Sequence, residues 1–270
     1  MSLRVASVNV NGIRAAFRKG MDRWVAGTTA DVILAQEVRA PADVAAALFG
    51  EEWQVEVLPS QLKGRAGVAV AWRKDVLSAG EVNGMAVAEV DPSDSGRWLE
   101  VALTTGGGTT VRAISAYLHS GQVDTPKLDA KLSHLQRVTE RLDQLASDPI
   151  PTLVCGDFNV VRTHKDIKNW KGNHNKTSGV LDIEIAYLDR WMNGEWVDVS
   201  RHLNGDAQGP YTWWSWRGKA FDNDAGWRID YHMASPVLAE LARDVTVDRA
   251  ASYDERFSDH APLLATYDIA

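Results

Sequence analysis

The fold is decided by residues 111–159, VRAISAYLHSGQVDTPKLDAKLSHLQRVTERLDQLASDPIPTLVCGDFN. Two short runs rich in apolar and β-branched residues, Val111–Leu118 and Thr152–Cys155, predict strands at its two ends. Between them, leucines recur at three- and four-residue steps and predict one helix, Pro126–Ala146, with a single apolar stripe. The threonine before this helix can cap it, and its proline suits the first helical position. The stretch therefore predicts a strand, a long helix and a second strand in succession.

The rest of the chain continues this pattern with more strands than helices. Turn residues such as Gly106–Gly108 separate the segments, and no linker or repeat divides the chain. Several strands are apolar on successive residues, as expected for strands covered on both faces. The sequence therefore predicts one α/β domain, residues 1–270, in which two packed sheets carry helices on their outer faces. The other predicted strands are Leu3–Val10, Val32–Gln36, Gly67–Trp72, Trp98–Thr104, Arg228–Ala234, Asp244–Val247 and Ala261–Tyr267, and the other predicted helices are Gly20–Gly27, Asp43–Phe49 and Asp182–Met192.

The composition is that of an ordinary globular protein. Its 270 residues are 45% apolar and 24% charged, which excludes a disordered chain or a disulfide scaffold. No apolar run approaches the ~20 residues of a membrane span, and the N-terminus lacks the pattern of a secretory signal. The single cysteine, Cys155, can form no internal disulfide, so we expect a cytoplasmic protein. The formal net charge of −7 does not favour DNA binding, although a local basic face can offset it.

Polar side chains stand at the ends of five predicted strands, where a rigid scaffold presents chemistry. Most have an ordinary alternative reading: Glu37 can form a structural salt bridge with Arg39, and Tyr117 can be a core aromatic. The Asp-Asn and Ser-Asp pairs can be turns or caps. Asn9 is different because it lies within the first strand, where turn chemistry does not explain it. The five places are Asn9, Glu37, Tyr117, Asp157 with Asn159, and Asp259 with His260.

Together these side chains suit the hydrolysis of a phosphodiester by metal-activated water. Glu37 and Asp259 offer the hard oxygen ligands that such a metal needs, and Asp157 is the candidate base for the water. Asp230, in a sixth segment, can hold His260 in its working orientation. No Cys-His zinc spacing, serine nucleophile elbow or phosphate-binding glycine loop competes with this set. The candidate donors to the transition state are Asn9, Asn159, Tyr117 and protonated His260.

Five segments in chain order resemble the exonuclease III family of abasic-site endonucleases, within the endonuclease/exonuclease/phosphatase superfamily. The resemblance covers essentially the whole chain. It implies a four-layered α/β sandwich and a DNA-repair enzyme that hydrolyses the phosphodiester 5′ to an abasic site in duplex DNA. The five segments are Asn9–Arg14, Gln36–Glu37, Gly156–Asn159, Trp227–Asp230 and Ser258–Pro262. Two more segments, Lys168–Asn173 and Tyr211–Trp214, resemble the bacterial branch of the family that is closest to dedicated abasic endonucleases.

The same resemblance implies the cofactor and the role of each site residue. Mg²⁺ is the expected cofactor, with Mn²⁺ able to substitute, and no nucleotide cofactor is expected. Asn11 stands where some relatives carry an Asp ligand, so a second tight metal site is not expected. By resemblance, Glu37 and Asp259 belong to the metal, Asp157 activates the water that Asn9 and Asn159 hold, Tyr117 and His260 contact the scissile phosphate, and Asp230 pairs with His260.

Aromatic and basic segments supply the expected DNA contacts. Tyr211–Trp216 carries four rings, which can form a core strand or can wall a pocket that selects an abasic sugar. Five Lys or Arg between Arg162 and Lys176 form either a solvated loop or a surface for the DNA backbone. Arg162 itself is bulky enough to restrict entry of a normal terminal nucleotide, so we expect only weak 3′-to-5′ exonuclease and 3′-end-cleaning activity. The expected DNA-binding residues are, by resemblance, Trp213, Trp227 and Ile229 in the pocket and Arg217 inserted into the duplex, together with Arg14, Arg39, Lys63, Arg162, Lys168 and Lys171.

Two other functions are open to a chain of this kind. A phosphoinositide phosphatase or sphingomyelinase would use the same fold and metal, and the tryptophan-rich loop can imitate a membrane-active surface. The Trp227–Asp230 segment argues against that function. A non-catalytic DNA-binding module would have lost one or more catalytic residues, whereas all of them are present. We therefore expect a monomeric enzyme that acts on duplex DNA containing abasic sites and has no membrane partner.

Overall fold

The computed structural model describes residues 2–269. Two six-stranded sheets form its centre. Most of the central strands are buried on both faces, which explains their continuous apolar sequences. The strands are β1 (Ser2–Asn9), β2 (Val32–Gln36), β3 (Trp53–Leu58), β4 (Val68–Arg73), β5 (Leu77–Asn83), β6 (Trp98–Thr105), β7 (Thr110–Tyr117), β8 (Thr152–Asp157), β9 (Val197–Asp198), β10 (Asp230–Ala234), β11 (Ala242–Val247) and β12 (Leu263–Asp268).

The helices of the described chain are mostly short. The longest has its predicted threonine cap, because Lys127 N donates to Thr125 Oγ1 at 3.3 Å. None of the described helices is long and apolar enough to cross a membrane. The helices are α1 (Ile13–Ala16), α2 (Asp22–Gly27), α3 (Ala42–Phe49), α4 (Pro126–Ala146), α5 (Trp170–Asn173), α6 (Asp182–Met192), α7 (Val199–Asn204) and α8 (Pro236–Glu240).

The layers confirm the predicted fold class. The first sheet has the strand order β11-β12-β1-β2-β4-β3, and the second has the order β5-β6-β7-β8-β10-β9. Each sheet is mixed, since β1 and β2 are parallel in the first and β7 and β8 are parallel in the second. Apolar side chains such as Leu34, Val101 and Cys155 fill the space between the sheets. Residues of α1–α3 cover the outer face of the first sheet, and those of α4 and α6 cover the outer face of the second.

Of the four edge strands, the sequence patterns predicted only β11, as Asp244–Val247. β3 and β5 each lie at an edge, and most of their residues are partly or fully exposed, so they lack a long apolar run. The two-residue β9 is also an edge strand. The aromatic stretch Tyr211–Trp216 is not a strand; within it, Trp213 makes only isolated bridges to Trp227 and His260.

Strand register brings several of the predicted site residues to one edge of the molecule. Asn9 pairs with Gln36 at the ends of β1 and β2, directly before Glu37. Tyr117 and Asp157 pair at the ends of β7 and β8, and Asp157 also pairs with Asp230 at the start of β10. Because the carboxyl ends of parallel strands meet at one edge, both sheets present polar side chains to the same place.

Candidate active site

A cavity of about 600 Å³ lies at this edge. Its walls come from both sheets and from the loops that follow their strands. Most of the predicted catalytic and metal-binding residues line it, and the predicted aromatic pocket residues form part of the same wall. The lining residues named by the sequence are Glu37, Arg39, Tyr117, Asp157, Asn159, Trp213, Trp227, Ile229, Asp259 and His260.

Asn9 links the two sheets beneath this cavity. Its side chain is fully buried, and Nδ2 donates to Glu37 Oε1 and to Asp157 Oδ2, each at 2.9 Å. Its Oδ1 accepts from the backbone N–H of Asn11 at 2.9 Å. One amide therefore fixes two carboxylates that come from different sheets, which explains why a polar residue interrupts the apolar strand β1.

Asp157 is held by hydrogen bonds and surrounded by other charges. Asn159 donates to it twice, from its backbone N to Oδ1 at 2.9 Å and from Nδ2 to Oδ2 at 3.1 Å. Burial raises the pKa of Asp157 to about 7; His260 opposes this shift, and the carboxylates of Asp230 and Glu37 add to it. A carboxyl group with this pKa can exchange a proton near neutral pH.

The backbone around Asp157 leaves little freedom. Gly156 has φ 148°, and a Cβ there would lie 1.8 Å from the carbonyl oxygen of Ala116. Asn159 is in the left-handed region at φ 54°, which turns its side chain back toward Asp157. The Gly-Asp-Phe-Asn sequence is therefore required by close packing of β8 against β7 and by the turn that follows.

His260 forms an acid–imidazole pair with Asp230. His260 Nδ1 lies 2.8 Å from Asp230 Oδ2, and its Nε2 lies 3.7 Å from Asp157 Oδ2. Burial alone would lower the pKa of His260, but Asp230, Asp157 and Asp259 outweigh it and raise the pKa to about 10. His260 is therefore a cation at neutral pH, with Nε2 directed toward the base.

Tyr117 and Glu37 line the cavity beside Asp157. Burial raises the pKa of the Tyr117 phenol well above 10, and the carboxylates of Glu37 and Asp157 add to the shift, so the hydroxyl remains a donor. The guanidinium of Arg97 stacks on the Tyr117 ring at 4.7 Å. Glu37 Oε2 pairs with Arg39, which is the alternative that the sequence had left open. Glu37 nevertheless faces the cavity, so the salt bridge and the active-site position coexist.

Asp259 is the carboxylate nearest the aromatic wall. Its Oδ1 accepts from Asn11 Nδ2 at 2.8 Å, and its Oδ2 accepts from Trp213 Nε1 at 3.1 Å. Burial would raise the pKa of Asp259, but His260 and these two hydrogen bonds outweigh it and lower the pKa. Asp259 is therefore ionised at neutral pH.

The donor set fits a hard divalent cation held partly by water and substrate. Glu37 and Asp259 supply only oxygen ligands to the cavity. Within residues 2–269 they are not part of any group of three His, Cys, Asp or Glu whose ligand atoms lie within 4.8 Å of one another. Mg²⁺ is usually held by one or two carboxylates, and phosphate oxygens and water fill its remaining coordination positions. Burial is the main cause of the elevated pKa of Asp157, and the nearby carboxylates of Asp230 and Glu37 add to it.

A buried ion pair holds the loops around the cavity. Lys131 on α4 and Glu184 on α6 are both fully buried, with Nζ 2.7 Å from Oε1. Lys131 Nζ also donates to the carbonyl oxygens of Asn159 at 3.0 Å and Ser120 at 3.3 Å. Ser178 Oγ donates to Glu184 Oε1 at 2.7 Å. One pair of charges thus fixes three loops that border the cavity.

Aromatic rings wall one side of the cavity. The Trp213 and Trp227 rings meet edge to face, with centroids 5.6 Å apart, and Ile229 lies beside them. Trp214 and Tyr211, in contrast, are buried against Phe221, so they have the core role that was the alternative for this segment. Arg217 is exposed on the same loop.

Apart from Arg39, which lines the cavity, the predicted basic residues fall into two groups. Those that remain exposed are Arg14, Lys63, Lys168, Lys171 and Arg217. Arg162 is different: its Nε donates to Asp189 Oδ1 at 2.8 Å and its Nη2 to Asn193 Oδ1 at 2.5 Å. The guanidinium therefore turns toward α6 and does not line the cavity, so the predicted restriction of the cavity by Arg162 is wrong.

A buried charge cluster anchors the basic loop from beneath. Asp166 Oδ1 accepts from Arg228 Nε at 2.6 Å and pairs with Arg201, and Arg228 Nη2 lies 2.8 Å from Asp198 Oδ2. Burial would raise the pKa of Asp166, but Arg228 and Arg201 outweigh it and lower the pKa to about 2. The cluster was not found from sequence because its members are scattered along the chain.

We expect Asp166→Asn to destabilise the protein by about 3 kcal/mol, because it leaves Arg228 with only part of its buried countercharge. Asp166 has a lower pKa in the folded than in the unfolded state. Its stabilisation is therefore present above about pH 4 and is lost as the pH falls toward 2. Urea unfolding at pH 7 and at pH 3 should show a smaller difference between variant and parent at pH 3. Asp206→Asn, which removes the exposed partner of Lys165, should change little; an equal loss in both variants would contradict the role of the cluster.

The comparisons with known proteins agree with the fold. A model of the Endonuclease/Exonuclease/phosphatase family matches residues 6–260, and the chain belongs to that family. The exodeoxyribonuclease of Bacillus subtilis (strain 168) is 31% identical over 263 residues, which cover 97% of this chain and 98% of that protein. The 3′ phosphatase NExo from Neisseria, bound to a product DNA hairpin, has a TM-score of 0.84 at 25% identity, covering 99% of this chain and 100% of that one. An AP endonuclease from Archaeoglobus fulgidus has a TM-score of 0.82 at 26% identity, with the same coverage. The resemblance seen in the sequence is thereby confirmed.

Proposed function

We propose that this protein is a metal-dependent DNA-repair nuclease that hydrolyses the phosphodiester 5′ to an abasic site in duplex DNA. The proposal rests on one observation: a pair of acid–base groups and an aromatic wall lie in the same cavity. Asp157, hydrogen-bonded to Asn9 and Asn159, lies beside protonated His260, and the wall next to them is made of Trp213, Trp227 and Ile229. The relatives named as exodeoxyribonuclease and AP endonuclease support both the chemistry and the substrate class.

The chemistry is assigned to the residues by their protonation states. Asp157 accepts the proton of the attacking water, for which a pKa of about 7 is suitable. Asn159 and Asn9 keep the carboxylate in place and leave it pointing into the cavity. His260, a cation at neutral pH, donates from Nε2 to the charge that develops on the phosphate oxygens. Tyr117 donates a hydrogen bond from its hydroxyl to the same phosphate and keeps its proton.

The proposed cofactor is Mg²⁺, with Mn²⁺ able to substitute. Glu37 and Asp259 would hold it, and when bound it would stabilise negative charge on the phosphate and on the leaving oxygen. Arg39 neutralises one oxygen of Glu37, so it limits how strongly that carboxylate binds a cation in the absence of DNA. This arrangement favours binding of the metal together with the substrate phosphate.

The aromatic wall accounts for the choice of a damaged site. An abasic sugar has no base to unstack, so moving it out of the helix costs little compared with an intact nucleotide. Trp213, Trp227 and Ile229 form the part of the cavity wall that would contact such a sugar. Exposed Arg217, on the same loop, is placed to enter the duplex beside it.

We also propose 3′-to-5′ exonuclease and 3′-end-cleaning activity. The expectation that these are weak rested on the bulk of Arg162, which faces α6 instead of the cavity. The solved relatives include a 3′ phosphatase bound to a DNA hairpin. The bulk of Arg162 therefore gives no reason to expect that the exonuclease and 3′-end-cleaning activities are weak.

We further propose that the enzyme is a single-domain monomer in the cytoplasm.

The test of the function is a nicking assay on a duplex with one tetrahydrofuran abasic analogue. We expect incision 5′ to the analogue with Mg²⁺, none with chelator, and little on the undamaged duplex. A second arm offers soluble inositol phosphates, the substrates of the alternative phosphatase function. Faster turnover of inositol phosphates than of abasic DNA would overturn the proposal.

Lys168 and Lys171 should contribute to binding through the DNA backbone. We expect the double change Lys168→Glu and Lys171→Glu to weaken binding to abasic and undamaged duplexes equally and to lower the salt slope by about 2. The measurement is the dissociation constant at several salt concentrations. Lys74→Glu, an exposed site at the opposite end of β4 from the cavity, is the control. An unchanged slope in the double variant would remove this loop from the binding surface.

A further inference from the structure

A second cluster of metal-ligating side chains lies outside the cavity. It consists of Asp94, His119 and His134, whose nearest ligand atoms all lie within 4.8 Å of one another. Asp94 belongs to the turn before β6, His119 follows β7 by two residues, and His134 lies on α4. The cavity of the proposed reaction is lined by other residues. The cluster therefore joins three separate segments at a place that the proposed function does not use.

The distances suit coordination of one ion. His119 Nε2 lies 2.8 Å from Asp94 Oδ1, and His134 Nδ1 lies 3.8 Å from the same oxygen. The two imidazole rings meet edge to face with centroids 5.0 Å apart. Ligand atoms around a tetrahedral ion with bonds of about 2.0–2.1 Å are about 3.3 Å apart, so small side-chain movements would bring these three donors to that spacing.

His134 is the observation that points to a ligand. Its side chain is almost fully buried, at 1% exposure, and neither ring nitrogen has a hydrogen-bond partner. Buried polar atoms without any partner are rare because each costs the hydration that it has lost. A metal ion bound to a ring nitrogen would remove that cost for one of them.

The surrounding charges restrict which ion can bind. Arg137 Nη2 donates to Asp94 Oδ2 at 2.7 Å, and the N–H of Val90 donates to the same oxygen at 3.2 Å. Asp94 therefore has only Oδ1 to offer, and the carboxylate is held in one orientation. Arg137 and Arg97 add positive charge, which disfavours a hard cation bound mainly by charge. Two imidazoles and one carboxylate oxygen are the donors that a borderline ion prefers.

We propose that Asp94, His119 and His134 form a structural site for one divalent transition ion of the Zn²⁺ or Co²⁺ type. His119 then gives up the Nε2 proton that it donates to Asp94. That proton moves to Nδ1 by a change of tautomer, and the Nε2 lone pair binds the ion. The ion ties α4 to the loops that flank β6 and β7. The Pro92–Arg97 segment that carries Asp94 also carries Arg97, which donates to Ser93 O at 2.7 Å and stacks on Tyr117. The bound ion therefore stabilises the segment whose Arg97 stacks on Tyr117, and it takes no part in the reaction.

The test uses the untagged full chain, stripped with chelator and kept in a large excess of Mg²⁺ to occupy the catalytic site. Co²⁺ is titrated and followed by visible absorption and calorimetry. We expect one equivalent that Mg²⁺ does not displace, with the absorption of an imidazole-bound ion. His134→Phe, which keeps an aromatic ring at the buried position, and His119→Asn should each lose at least 10-fold in affinity. His202→Ala, a change at an exposed histidine, should bind as the parent does.

Two results would overturn the site. One is the absence of a Mg²⁺-resistant equivalent in the parent protein, which does not depend on any variant folding. The other is unchanged binding in folded His134→Phe and His119→Asn proteins, which would place the ion elsewhere. Melting temperature gives a separate readout: Zn²⁺ in excess Mg²⁺ should raise it by several degrees in the parent and in His202→Ala but in neither cluster variant. An equal rise in all four proteins would contradict the proposal.

Discussion

Asp157→Asn should lower the rate of incision at an abasic site by about 10²- to 10⁴-fold, the range that a positioned general base contributes. Asparagine keeps the shape of the side chain but cannot accept the proton of the attacking water. It should also be tolerated by the fold, because the Asp157 carboxyl is already half-neutral near pH 7. The measurement is the single-turnover rate on an abasic duplex with Mg²⁺.

Measuring the DNA affinity and the melting temperature of Asp157→Asn distinguishes the loss of a base from damage to the structure of the site. Affinity for the abasic duplex should stay within a few-fold of the parent value, and the melting temperature should not fall sharply, since one of several mutually repelling carboxylates has been neutralised. Asp143→Asn is the matched control, because it makes the same change at an exposed ion pair with Arg190. Incision by Asp157→Asn at a rate close to that of Asp143→Asn would mean that another group is the base.

Glu37→Gln should lower incision at about 1 mM Mg²⁺ by about 10²-fold, with part of the loss recovered as Mg²⁺ is raised. Glutamine retains a carbonyl oxygen and can still accept from Asn9, but it loses the charge that attracts the cation. The measurement is the Mg²⁺ dependence of the single-turnover rate. The concentration that gives half of the maximal rate should rise by about 10-fold or more.

The control must also break an Arg–Glu pair, because Glu37→Gln releases Arg39. Glu52→Gln does so at the exposed pair with Arg73, whose atoms are 2.9 Å apart. We expect its Mg²⁺ dependence to equal that of the parent. If Glu37→Gln lost activity without any change in Mg²⁺ dependence, Glu37 would serve to position Arg39 or Asn9 and would not be a metal ligand.

The elements with strong periodicity were predicted correctly from the sequence. The bounds predicted for α4 and α6 are those of the structure, because each helix has one apolar stripe and clear end signals. The central strands were found within a few residues for a similar reason. Three of the four edge strands, β3, β5 and β9, were missed, since a half-exposed strand such as β3 can mix polar and apolar residues without penalty.

The site was predictable where a polar residue broke an apolar strand. Asn9 stands out because nothing in a buried strand would favour it otherwise, whereas Asp157 was noticed only as a polar residue following a predicted strand, where a turn was the alternative. Residues that act through tertiary partners could not be found in this way. Lys131 interrupts the apolar face of α4, which was a usable signal, but its partner Glu184 lies on another helix and looks like a surface residue. The orientation of Arg162 depends on Asp189, which sequence spacing does not reveal.

The Lys131–Glu184 pair has a consequence for how ionic strength affects this enzyme. Counterions weaken attraction between exposed charges over about 10 Å at 0.1 M salt, but they do not reach a pair that is sealed from solvent. Added salt should therefore release the DNA long before it loosens the loops that Lys131 fixes. Once a duplex is bound, its cleavage rate should be nearly independent of salt. Ionic strength should therefore change the fraction of enzyme that is bound to DNA without changing the rate of the bound complex.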